Sequence, residues 1–246
     1  INKNNPSTFL SPSTRVSGIA DPEKTKDPKY NLPRFVWDSV GIVRSLPSPR
    51  IIKTHLPYHL LPLQLQQGQT GAKIVYVTRD VKDVVLSYHH HLQLQGLCSS
   101  DFDSFATLFI NDAVSCTPYW DHIISYYKRE DDKKMLFLRF EDMKKDLSSE
   151  VKRVAEFLGK QLTANQVEIL CKHLSFESMK NNPAVNFEDR KKLIKNPTDK
   201  QKNGYVMREG KAGGWKEQLS PDWVNRIDQW THNRLQETES SFLNRV

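Results

Sequence analysis

Three segments carry side chains whose types and spacing could do chemistry. The first is Lys53-Thr54-His55-Leu56-Pro57. An imidazole titrates near neutrality and suits general-base work. Lys53 stands two residues before His55, so in a strand both side chains would point to one face. A base and a cation on one face could deprotonate a hydroxyl and stabilise an incoming anionic group. The same pair also fits a surface lysine beside a strand-end histidine with a structural hydrogen bond. The second segment is Arg79-Asp80-Val81-Lys82-Asp83, with Ser87 two helical turns beyond Arg79. An arginine at a strand end can hold a phosphate bidentately, and a following helix N-terminus adds N–H donors. A cap with a salt-bridged surface would read the same way. The third segment is Arg208-Glu209-Gly210-Lys211-Ala212-Gly213-Gly214-Trp215-Lys216. Its glycines permit positive φ and close approach of backbone to an anion. A flexible surface loop is the alternative, and the Walker A spacing is absent from the chain.

Two further sets are weaker. Consecutive helix residues diverge by about 100°, so His89, His90 and His91 cannot converge on one metal ion. No metal is expected. Phe140 and Phe176 could stack on a base, or simply pack in a core.

Positioning these residues requires strands and helices in alternation. Arg50–His55 reads as a short strand stopped by Pro57, and His59–Gln67 as a short helix closed by Gly68. Lys73–Thr78 is apolar on both faces and reads as a buried parallel strand. Asp80 can cap a helix over Val81–Leu94. Helices are expected over Phe102–Ile110 and Thr117–Arg129, then a strand over Lys134–Phe140. A turn at Glu141-Asp142 should precede helices over Ser148–Leu158 and Asn165–Leu174. Asn181–Asn203 reads as a polar surface loop. Ser220-Pro221-Asp222 begins a last helix through Trp223, Ile227, Trp230 and Leu235. This order predicts an α/β fold with a mostly parallel central sheet flanked by helices.

A length of 246 residues allows one or two domains, and one large α/β domain fits. Residues 1–33 are polar, rich in Ser, Thr and Pro, and lack periodicity, so an extended or poorly ordered arm is expected before a domain over 34–246. The net charge is +7, and the isoelectric point near 9.2 asks for an anionic partner. Nucleic acid, a membrane surface and a phosphorylated small molecule all qualify. Cys98, Cys116 and Cys171 are too few and scattered for a disulfide framework, which favours a reducing compartment. No apolar run approaches the ~20 residues of a membrane span. The chain starts at Ile1 rather than Met, which suggests processing or a fragment.

Taken in order, five segments resemble the cytosolic sulfotransferase family. Arg50-Ile-Ile-Lys-Thr-His-Leu-Pro57 is similar to its KTHLP core. Tyr76–Tyr88 is similar to YV-x-R-[NR]-x-KDV-x-x-SYY, and Phe140–Lys144 to YEDM-K. Ser175–Pro183 follows SF-x-x-MK-x-NP, and Arg208–Lys216 follows RKG-x-x-GDWK. The resemblance implies a single-domain, P-loop-kinase-like sulfotransferase fold. It implies 3′-phosphoadenosine 5′-phosphosulfate (PAPS) as sulfuryl donor, leaving as the 3′,5′-bisphosphate PAP. It makes His55 the general base and Lys53 the residue that stabilises the transferring group. Arg79 and Ser87 would hold the 3′-phosphate with Arg208 and Gly210, and Phe176 and Met179 would lie at the adenine. Phe35, Trp37 and Tyr88 are candidates for a pocket holding a small apolar acceptor, a phenol, alcohol, steroid or amine. A cytoplasmic protein without nucleic-acid or membrane partners is implied.

Departures from the pattern set further expectations. The family's TYPKSGTTW phosphosulfate loop is not found here, so the domain reads as N-terminally incomplete. Phe140 replaces a Tyr and so lacks one hydroxyl near the adenine. Glu209 puts a carboxylate where the 3′-phosphate loop has a cation, and Gly214 replaces Asp. Ser220, Pro221 and Asn225 replace the Thr, Val and Glu of the family's dimer motif, so that dimer is not assumed. A catalytically degenerate PAP- or PAPS-binding relative is the alternative reading.

Overall fold

The computed structural model describes residues 38–129, 132–186, 204 and 206–236. The expected arm over 1–33, Phe35, Trp37 and most of the Asn181–Asn203 loop lie outside these residues. Contacts divide the chain into two compact units, Ile1–Gln66 and Gln67–Val246, and each is described by itself.

In the first unit, α1 (Ser39–Ser45) is capped by Asp38, whose carboxylate accepts from Gly41 N at 2.9 Å. A 3-10 turn at Tyr58–Leu60 leads to α2 (Leu63–Gln66), close to the helix expected there. The amide of Gln66 donates to the carbonyls of His59 and Leu61 at 3.0 and 2.6 Å, which folds this stretch back on itself. Between α1 and the turn the expectation fails. Residues 50–57 form no strand. A strand exists only through a ladder with a neighbour, and no described residue supplies one. A local bond competes instead, since Leu56 N donates to Thr54 Oγ1 at 3.1 Å. Ile51 and Ile52 are left exposed, at 85% and 49%.

The second unit is α/β. Its strands β1 (Ile74–Thr78) and β2 (Met135–Arg139) run parallel, with Ile74 opposite Met135 and Thr78 opposite Arg139. A parallel pair needs a long crossover. Here it consists of α3 (Val81–Leu94), α4 (Phe102–Ile110) and α5 (Tyr119–Tyr127). After β2 come α6 (Phe140–Lys145), α7 (Leu147–Phe157), α8 (Ala164–His173) and α9 (Phe176–Lys180). Where a turn was expected at Glu141-Asp142, α6 forms, with acidic residues in its first turn and lysines in its last. That charge order suits the helix dipole. Among the described residues the last elements are α10 (Trp215–Gln218) and α11 (Pro221–Leu235).

The core lies where α3, α4, α5 and α11 meet. Val81 and Val85, four apart on α3, pack with Phe105, Phe109, Trp120, Ile123, Trp223 and Ile227. The indole of Trp223 keeps a partner on burial, donating to Asp103 Oδ1 at 2.6 Å. Among the described residues no helix is long and apolar enough to cross a membrane.

Candidate functional site: an arginine, a buried aspartate and a glycine-rich loop

The parallel register decides which residues can meet. Because Thr78 pairs with Arg139, the residues that follow each strand, Arg79 and Phe140, emerge side by side. The Arg79 guanidinium lies over the Phe140 ring, 4.5 Å from its centroid. This is a cation–π contact in a partly buried setting. Tyr119 fixes the backbone here, its hydroxyl donating to the Arg79 carbonyl at 2.9 Å. Burial pushes the Tyr119 phenol well above its usual pKa, so it stays a donor. Beneath the pair is a cavity of about 210 Å³, lined by Tyr76, Val77, Thr78, Val84, Tyr119 and Ile123.

Asp80 and Asp83 then bring in the glycine-rich loop. Asp80 caps α3 as expected, accepting from Lys82 N at 2.8 Å. Its second oxygen accepts from the Trp215 indole at 3.1 Å. Its own N–H donates to Glu141 Oε1 at 3.0 Å. Asp83 is 3% exposed and accepts from Gly213 N at 2.7 Å and Trp215 N at 3.0 Å. Arg79 Nη2 donates to the Lys211 carbonyl at 3.0 Å.

The other end of the loop meets α9. Gly210 has φ +61, and a Cβ there would stand 2.2 Å from the Phe176 ring. Only glycine permits both that backbone and that approach. Arg79, Phe140, Phe176 and Gly210 are thus brought into one connected cluster, with Met179 half-buried on the same short helix as Phe176. The cluster fits an anionic aromatic ligand. Arg79 Nε is buried without a hydrogen-bond partner, which leaves the guanidinium a donor to give.

Ser87 is exposed on α3. Arg208 and Glu209 are both exposed and face each other, Nε to Oε1, at 3.7 Å. Tyr88 donates to the Ser115 carbonyl at 2.9 Å and sets its ring edge-on to Phe105. Its phenol is pushed up to about 12, chiefly by burial. In the first unit Lys53 and His55 are both exposed. Without a strand, their two-residue spacing no longer puts them on one face. His89 packs against Phe105, ring centroids 5.1 Å apart, as a residue of the helix-packing surface. A larger groove of about 760 Å³, around Phe102, Asp103, Trp223 and Arg226, contains none of the catalytic, nucleotide or acceptor residues expected from sequence.

Asp83 is the buried member of the cluster to which sequence reasoning gave no role of its own. Its one local signal was its place four residues after Arg79 in the first helical turn, where an ion pair is possible.

With this geometry in view, comparison with known proteins is decisive. The sulfotransferase domain family matches residues 22–239. The chain belongs to the sulfotransferase family. It is 39% identical over 211 residues to the luciferin sulfotransferase of Photinus pyralis, covering 86% of this chain and 56% of that one. It is 31% identical over 204 residues to the amine sulfotransferase of Oryctolagus cuniculus, covering 82% and 66%. The chain therefore spans between about half and two-thirds of the length of these two relatives. A crystal structure of retinol dehydratase with retinol and PAP superposes with a TM-score of 0.78 at 32% identity, covering 94% of this chain and 71% of that one. The α/β architecture expected from sequence is the sulfotransferase fold.

Proposed function

We propose that the protein is a PAPS-dependent sulfotransferase acting on a hydroxyl or amine of a small, largely apolar acceptor. The observation that carries this is the cluster of Arg79, Phe140, Gly210 and Phe176, a guanidinium with an unspent donor among aromatic faces and a glycine-rich turn. That combination suits an adenine nucleotide with an extra phosphate. When bound, PAPS would supply an activated sulfuryl group. Arg79 would take the 3′-phosphate, with Ser87, Arg208 and Gly210 assisting. Phe176 and Met179 would face the adenine, and Phe140 would do so without the hydroxyl of a tyrosine.

His55 would accept the acceptor's proton, and Lys53 would neutralise charge developing on the transferring group. A positioned base contributes roughly 10²–10⁴ in rate. The names of the relatives, with luciferin, amine and retinol among them, support a small apolar acceptor. Phe35, Trp37 and Tyr88 would line its pocket. The sulfotransferase domain would run over 34–246 behind an N-terminal arm. A cytoplasmic location accords with the absence, among the described residues, of a helix able to cross a membrane.

One observation favours the alternative of a binding-only relative, the engagement of Arg208 by Glu209. Both readings are tested by giving the full-length protein PAPS labelled in its sulfuryl group, with 4-nitrophenol, a steroid alcohol and an arylalkylamine as acceptors. The enzyme reading predicts labelled product together with PAP. PAP binding without transfer to any acceptor would leave the binding-only relative. Neither binding nor transfer would overturn both.

A further inference from the structure

Asp83 has no place in the chemistry above, yet it is the most heavily engaged side chain beside Arg79. It is a buried carboxylate, and a buried charge survives only when it is paired and hydrogen-bonded. Both needs are met by parts of the nucleotide cluster. Oδ1 accepts from Trp215 N at 3.0 Å, and Oδ2 accepts from Gly213 N at 2.7 Å. Oδ2 also lies 3.5 Å from Arg79 Nη2. The same Nη2 holds the Lys211 carbonyl at 3.0 Å. Arg79 and Asp83, one helical turn apart, thereby grip alternate residues 211, 213 and 215 of the loop. Gly213, at φ +75, turns its N–H toward Asp83. The next residue back from this grip, Gly210, is the one seated against Phe176.

We propose that Asp83 is a positioning residue for recognition of the 3′-phosphate, holding Arg79 and the loop 210–215 in one fixed relation. This rests on the nucleotide reading above. Asp83 does not touch the phosphate. It aims the guanidinium and pins the loop whose backbone would meet the anion.

The proposal runs against simple charge. A carboxylate 3.5 Å from the phosphate-binding arginine should repel a phosphate. By charge alone Asp83→Asn would tighten binding of an anion. By positioning it loosens binding, because the amide cannot accept from both loop N–H groups and balance Arg79 as well. The sign of the change separates the two.

The test is calorimetric titration of the full-length protein with PAP and with adenosine 5′-monophosphate, which lacks the 3′-phosphate. Wild type is expected to prefer PAP. Asp83→Asn is expected to lose tenfold or more in PAP affinity while binding the monophosphate nearly unchanged, so the preference collapses. Asp83→Glu keeps the charge but shifts it by one methylene, and its preference should fall between the two. Should Asp83→Asn fail to fold, Asp83→Glu carries the test, and a preference equal to wild type overturns the proposal. Tighter PAP binding by Asp83→Asn, or an equal loss for both ligands, overturns it as well. A wild type that does not distinguish PAP from the monophosphate overturns the nucleotide reading itself.

Discussion

Arg79 makes contact with an aromatic ring, a carbonyl and a carboxylate through a single guanidinium. None of these contacts is local except that to Asp83. Phe140 and Lys211 are 61 and 132 residues away, and only the parallel register and the loop bring them near. The sequence marked Arg79 because its type and its place after a strand suited an anion. It named Asp83 only as part of the segment after Arg79, because the loop N–H groups that Asp83 holds lie 130 and 132 residues on. Glu209 was legible as an anomaly, and its geometry turns the anomaly into a prediction. It faces Arg208 across 3.7 Å with both side chains 41% exposed. An exposed pair of this kind contributes at most about 1 kcal/mol. Replacing Glu209→Lys releases Arg208 and removes one negative charge from the loop. PAP affinity measured by calorimetry should rise roughly three- to fivefold at low salt, and the gain should shrink as salt is raised. An unchanged affinity would mean that Arg208 takes no part in binding.

At the scale of elements, local rules carried most of the reading. The expected bounds of α3 and α4 are those observed, and the strands are each shorter by a residue or two at their ends. Capping explains why. Asp80, Asp101 and Ser220 each accept from an N–H two or three residues on, a signal contained within four residues of chain. Failure came where the deciding partner is not local. Arg50–His55 has strand composition but, among the described residues, forms no strand ladder. Ser220 and Pro221, which depart from the family's dimer motif, have a different use here as N-cap and first residue of α11. Ser220 Oγ accepts from Trp223 N at 3.3 Å. Ser220→Ala should cost about 1 kcal/mol. Urea unfolding followed by far-UV circular dichroism would show this as a lower midpoint at unchanged slope. Loss of half the stability would instead give Ser220 a role beyond the cap.

For the whole molecule, a charge of +7 left the class of anionic partner open. Part of that charge has an address in Arg79 and the loop from Arg208 to Lys216, beside aromatic rings rather than along a broad face. That distribution suits one compact polyanion better than a nucleic-acid backbone. The proposed function has the protein transfer a sulfuryl group with His55 as base. Measuring labelled transfer from PAPS by wild type and by His55→Ala, alongside PAP binding by both, tests it most directly. The account predicts that His55→Ala reduces transfer by at least about a hundredfold and leaves PAP affinity within about twofold of wild type. Transfer that survives in His55→Ala at the wild-type rate would contradict it.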